Sequence, residues 1–170
     1  MKNIFIGLIL PLSFVGCATV EPKLTEKTNP YNQTRSYKYE PIITASCKTP
    51  SRLNTFVTIG FLGGGGLDTL FVRYKNKGWV FLDSSFGLDM LIDGEVLKLK
   101  GTGLNDRNVV YGSTVEEEVY YHITKNIAEK LSKAKKVQFR ATGSNGYVER
   151  CLYAEQLKFI SKVIPTIGKN

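Results

Sequence analysis

The chain is poor in the residues on which most enzyme chemistry rests: it has one histidine, one tryptophan, two methionines and three cysteines in 170 residues. A lone His122 leaves no histidine pair for a metal, and no Cys-x-x-Cys stands in for one, so a zinc centre has no ligand set. Ser84-Ser85, in Asp83-Ser84-Ser85-Phe86-Gly87, lacks the Gly-x-Ser-x-Gly elbow that exposes a nucleophile, and reads as a turn at a strand end. Gly63-Gly64-Gly65-Gly66 is followed by Leu67-Asp68-Thr69, not by the Lys-Ser/Thr of a phosphate-binding loop, and reads as a link between strands. Acidic residues are the minority charge, 15 against 23 Lys plus Arg, for a net +8. With 42% hydrophobic residues the chain is neither disordered nor polytopic, and its length suits one domain.

The N-terminus carries an address. Lys2 precedes an apolar run from Ile4 to Gly16, 13 residues long, which is short of the roughly 20 that span a bilayer and has the shape of a signal peptide. The run ends in Phe14-Val15-Gly16-Cys17, which resembles the lipobox of bacterial lipoprotein precursors, a small residue followed by the cysteine that is lipidated. The resemblance implies cleavage after Gly16 and a thioether-linked diacylglycerol with a further acyl chain on Cys17, an anchor of several chains that holds the protein on a membrane without crossing it. It also implies an outer-membrane position facing the periplasm, because Ala18 stands where an Asp would favour inner-membrane retention. Nucleic acid is excluded as a partner by that compartment. Loss of Lys2 leaves a mature charge of +7. With Cys17 committed to lipid, Cys47 and Cys151 remain as an even pair in an oxidising space, which points to a disulfide; two buried free thiols are the alternative.

Residues 17–36 hold few apolar side chains and read as the lipidated end and a flexible tether, leaving 37–170 as one globular domain. Val57, Ile59 and Phe61 alternate on one face, as do Leu70, Val72 and Tyr74. Asn76-Lys77-Gly78 is expected to close a hairpin onto Trp79 to Leu82 with Gly78 left-handed. Asp93-Gly94 is expected to turn between Leu88 to Ile92 and Val96 to Lys100, with a further strand over Arg107 to Tyr111. Ser113 to Glu116 fits a capping box, and Val115, Val119, Ile123, Ile127 and Leu131 recur every four residues as the stripe of a helix, with His122 on its solvated flank. Val137, Phe139 and Ala141 begin a strand that turns at Ser144-Asn145-Gly146, and a last helix runs from Tyr153 to Val163. The expected class is α+β: an antiparallel β-meander sheet covered by two helices in the C-terminal half. Stretches Gly78 to Glu95 and Val137 to Arg150 resemble bacterial envelope lipoproteins, a resemblance that names no activity.

Three constellations remain. Lys125, Lys130, Lys133, Lys135 and Lys136, with Arg140, face a single Glu129 between Tyr121 and Arg140 and form a candidate surface for anionic lipid or an acidic envelope partner; half of it also serves as dipole complement and solvated helix face. Asp83, Asp89, Asp93 and Glu95 offer carboxylates to an enzyme acting on cell-wall polymer, although acidic residues at turn edges are ordinary turn formers. Trp79, Tyr74 and Phe81 make an aromatic strip that suits either the core or a sugar. Taken together these favour a non-enzymatic binding or accessory role in the envelope, with no cofactor beyond the lipid on Cys17 and oligomeric state open.

Overall fold

A computed structural model describes residues 24–31, 35–47, 56–64 and 68–164. Cys17, the signal segment and Gly65 and Gly66 of the glycine run lie outside them. The described chain is mostly antiparallel β structure with two helices late in the sequence, and its strands form two sheets where one was expected. The larger sheet is built from β1 (Leu24–Thr28), β2 (Arg35–Ile43), β3 (Phe56–Gly63), β4 (Thr69–Asn76), β7 (Gly101–Tyr111) and β8 (Thr114–His122), in the order β1-β2-β3-β4-β8-β7. The smaller sheet takes β5 (Leu88–Ile92), β6 (Glu95–Leu99), β9 (Val137–Gly143) and β10 (Gly146–Leu152), in the order β10-β9-β5-β6. Helix α1 (Lys125–Lys133) joins β8 to β9, and α2 (Ala154–Val163) follows β10.

Period-two alternation explains the sheets. Val57, Ile59 and Phe61 of β3 pair across from Leu70, Val72 and Tyr74 of β4, and all six are buried. Leu88, Met90 and Ile92 of β5 and Val137, Phe139 and Ala141 of β9 are their counterparts on the smaller sheet. These rows, with Leu131 of α1 and Leu157, Ile160 and Val163 of α2, share one core cluster, so each sheet finds its apolar partner in the other sheet and the helices. The Asp93-Gly94 turn is present, both residues having positive φ (49° and 94°), the two-residue turn whose twist suits a hairpin. Cys47 and Cys151 are joined as a disulfide, Cα atoms 5.1 Å apart, beside a short bridge between Ala45 and Cys151 that ties the strand after β2 to β10.

The structure corrects the sequence reading in four places. The segment expected as a tether enters the larger sheet: Leu24 to Thr28 pairs with Tyr39 to Arg35. The helix expected from Ser113 begins only after Thr124, whose hydroxyl caps it by accepting from the Ile127 N–H (3.3 Å); Thr114 to His122 is strand β8. A spacing of four is a multiple of two as well as close to a helical turn, and the intervening Glu117 hid the strand alternation Val115, Glu117, Val119, Tyr121. Trp79 to Leu82 does not pair back onto β4, and Gly78 is not left-handed; Phe81 is (φ 54°), within a crossover that carries the chain to the smaller sheet. Trp79 stacks on Phe81 (ring centroids 5.6 Å), whereas Tyr74 is buried in the core with its hydroxyl on the Gly78 carbonyl, so the three do not form one exposed strip.

Candidate functional site

The lysines of the candidate surface reach their positions by different routes. Thr124 starts α1, and the last turn holds Lys130 and Lys133, cations at the end where the helix dipole is negative. Leu131 faces the core, which turns the neighbouring Ser132 and Lys133 toward α2. The chain beyond α1 is then clasped by Asp93. Its carboxylate accepts from the backbone N–H of Lys135 (3.0 and 3.1 Å) and Lys136 (2.7 Å), and its own N–H donates to the Lys136 carbonyl (2.9 Å). Both lysine side chains are exposed, on a backbone fixed by the β5–β6 turn.

Helix α2 supplies the opposite wall. The Gln156 side chain accepts from the Tyr153 N–H (2.9 Å) at its start, and Leu157, Ile160 and Val163 bury one stripe. Ala154, Lys158 and Ser161 occupy the flank next to that stripe and face α1. Between the helices lies a shallow groove of about 320 Å3 with Ala134 and Leu157 at its base and Lys133, Lys135 and Lys158 around it. The structure thus brings together two of the five predicted lysines with one, Lys158, that lay outside the run considered. Lys130 instead pairs with Glu95 of β6. Lys125 opens α1, about 12 Å along the helix from Lys133 at 1.5 Å per residue. The i, i+4, i+7 spacing of Ala154, Lys158 and Ser161 was the available signal for the missed wall.

The four carboxylates of the enzyme reading are each engaged. Asp83 accepts from the Ser85 N–H (2.8 Å) at the start of a short 3-10 turn, Ser84–Phe86, and this bond, with help from the Ser85 side chain and Asn105, holds its carboxyl below the usual value of 3.8. Asp89 faces Lys98 across the β5–β6 ladder (3.7 Å), Asp93 forms the clasp, and Glu95 pairs with Lys130. His122 ends β8 in solvent, its N–H donating to the Lys100 carbonyl (2.8 Å). No group of three His, Cys, Asp or Glu side chains suited to a metal occurs among the described residues.

One buried carboxylate was not anticipated. Glu117 is fully buried between the sheets and accepts from the backbone N–H of Val80 (2.7 Å) and Leu82 (2.5 Å). Arg107 stands 3.9 Å from the same carboxylate and donates to the Leu82 carbonyl (2.6 Å). Asn105 accepts from the Ser84 N–H (3.0 Å). These β7 and β8 side chains satisfy the backbone of the crossover, which has almost no ladder of its own; the arrangement is a structural clasp with both carboxylate oxygens in use. No protein-family model matches the chain, and no curated protein matches it.

Proposed function

We propose that this chain is a non-enzymatic, lipid-anchored protein of the bacterial envelope, held on the membrane through Cys17, whose domain docks on anionic lipid headgroups through the groove between α1 and α2. One observation carries the reading: Lys133 and Lys135 at the end of α1 and Lys158 from α2, two separate stretches of chain, surround a single groove, with no acidic side chain lining it. Each lysine near an anionic surface contributes about 1 kcal/mol, and salt screens the attraction over a Debye length of about 10 Å at 0.1 M. An anchor confines the domain near such a surface, so a modest interaction suffices to orient it. The engagement of Asp83, Asp89, Asp93 and Glu95 in caps, clasps and ion pairs favours this reading over hydrolysis of a wall polymer.

The test uses the mature chain without its lipid. It is expected to bind vesicles containing phosphatidylglycerol, to ignore vesicles of phosphatidylcholine alone, and to release as salt rises. The Lys133→Glu, Lys135→Glu, Lys158→Glu variant is expected to bind at least about a hundredfold more weakly, at roughly 1 kcal/mol per charge. Equal binding by the two proteins, or capture only by an acidic protein from the envelope, overturns the lipid reading. Incorporation of an alkyne fatty acid that persists in Cys17→Ser overturns the anchor.

A further inference from the structure

A second concavity, of about 420 Å3, opens on a different part of the molecule, where the end of β4, the crossover and the first half of β10 meet beside Ser46 and Cys47. Its walls are Tyr74, Asn76, Val80 and the β10 residues Tyr147, Val148, Glu149 and Arg150. We propose that this pocket binds a monocarboxylate, with Arg150 as its anion-binding residue and the Tyr74 ring against the ligand's apolar body.

The first argument is the state of Arg150. Arg35, Arg73, Arg107 and Arg140 each stand within ion-pair distance of a glutamate, whereas Arg150 has no carboxylate partner among the described residues. Its one hydrogen bond runs from Nη1 to the Glu149 backbone carbonyl (2.8 Å). Glu149 also lines the pocket, but its carboxylate is held by Arg140 (2.7 and 3.2 Å). Val148, Arg150 and Leu152 share the face of β10 turned to the core, so the guanidinium sits half-buried at the mouth of the space between the sheets. Burial lowers its pKa from the ordinary arginine value, opposed by Tyr74, the sign of a cation short of counter-charge. A buried charge without a partner is unfavourable, and an anion entering the pocket relieves it.

The second argument is shape. A guanidinium offers parallel N–H groups that match a carboxylate in a two-pronged bond. Among the described residues that line the pocket one cation lacks a carboxylate partner, which matches the single negative charge of a carboxylate. Tyr74 donates its hydroxyl to the Gly78 carbonyl (2.9 Å), so its ring is held in place as a wall. The volume suits an acid about the size of an acylated amino acid or the end of a peptide. The adjoining edge of β10 also bears on the choice. Ala45 pairs with β10 only at Cys151, through bonds of 2.9 and 3.2 Å, and the pocket continues along the strand from there toward Tyr147. A chain end could therefore lie along β10 with its carboxylate on Arg150.

The experiment uses the disulfide-bonded mature chain and follows the Arg150 Nε–H and the Tyr74 and Tyr147 ring signals by NMR. The probes are N-benzoylglycine, its primary amide, and a pentapeptide ending in tyrosine with either a free or an amidated C-terminus. Both acids are expected to shift the Arg150 signal and to bind at least about tenfold more tightly than their amides, since the charge-assisted pair is lost with the carboxylate. Additional shifts of the Tyr147 to Glu149 backbone with the peptide alone assign the carboxylate to a chain end; equal behaviour of the two acids assigns it to a small acid. Arg150→Gln is expected to abolish the preference for acid over amide. Equal affinity of acid and amide for the unaltered protein, or no shift at Arg150 with any probe, overturns the proposal without requiring any variant to fold.

Discussion

The β9–β10 hairpin and the crossover from Trp79 to Gly87 lie side by side, yet they are held by opposite means. The hairpin carries seven consecutive backbone pairs, from Gly146–Gly143 to Leu152–Val137. The crossover has one isolated bridge, Leu82 to Gly143, and a few backbone bonds to the hairpin: Asn145 and Ser144 N–H to the Val80 and Phe81 carbonyls (3.0 and 3.2 Å), and Asp83 N–H to Thr142 (3.2 Å). The N–H groups of Val80, Leu82 and Ser84 and the Leu82 carbonyl are satisfied by side chains of β7 and β8, with Glu117 at the centre. A ladder is repetitive and tolerates loss at one rung. A clasp concentrates the satisfaction of several buried groups on one side chain, so it is fragile at that residue and insensitive elsewhere.

The largest expected effect falls on the covalent tie of the hairpin region. Replacing both Cys47 and Cys151 by serine opens a loop of 104 residues and is expected to lower unfolding free energy by about 4 to 5 kcal/mol in denaturant titrations. If the hairpin is held mainly by its own ladder, its amides remain the slowest to exchange in the reduced protein; preferential exchange there would show that the bridge, not the ladder, sustains it. Glu117→Leu comes next. It leaves two buried N–H groups and Arg107 without their acceptor and is expected to cost roughly 3 to 4 kcal/mol, with exchange accelerated first at Val80 and Leu82. A loss below about 1 kcal/mol would mean that water replaces the carboxylate and that the clasp is incidental.

Glycine substitutions sharpen the same contrast at smaller cost. A Cβ on Gly143 would stand 2.4 Å from the Val80 carbonyl oxygen, and one on Gly101 1.8 Å from that of Ser84, so these glycines let β9 and β7 touch the crossover backbone. Alanine at either is expected to cost about 1 to 3 kcal/mol by thermal unfolding, whereas Gly78→Ala, with nothing within 4 Å of the added carbon, is expected to change stability by less than about 0.5 kcal/mol. Equal effects at Gly78 and Gly143 would show that the crossover is free to shift. The smallest effect is at Asp83. Its pKa is lower in the folded chain than the ordinary 3.8, so the carboxylate stabilises the fold above that value and ceases to as pH falls through the lowered one. The advantage of the unaltered protein over Asp83→Ala is therefore expected to be complete at neutral pH and to vanish in acid, below pH 3.8; an advantage unchanged across that range would locate the role of Asp83 elsewhere.

Legibility in the sequence follows the same division. Strands β3, β4, β5 and β9 were readable because Val57, Ile59 and Phe61, or Val137, Phe139 and Ala141, repeat the period of the element they form. Strand β8 was misread as a helix because its one polar inward residue, Glu117, broke the alternation for a tertiary reason. The lysines of the candidate surface were legible as a cluster in sequence, but only Lys133 and Lys135 meet at the groove, since Lys158 arrives from α2 and Lys130 is drawn to Glu95 of a distant hairpin. Arg150 carried no signal at all: a lone arginine in a strand becomes conspicuous only when its neighbours fail to neutralise it.

Local periodicity and turn chemistry, then, were enough to specify most strands, the Asp93-Gly94 turn and the last helix. Those features depend on residues a few positions apart, whose geometry the backbone dictates. The division into two sheets, the unladdered crossover, the burial of Glu117 and the isolation of Arg150 were decided by tertiary packing. Each depends on which distant group supplies a hydrogen-bond acceptor or a counter-charge, and the cost of leaving a buried polar group unpaired selects that partner only once the chain has been folded around it.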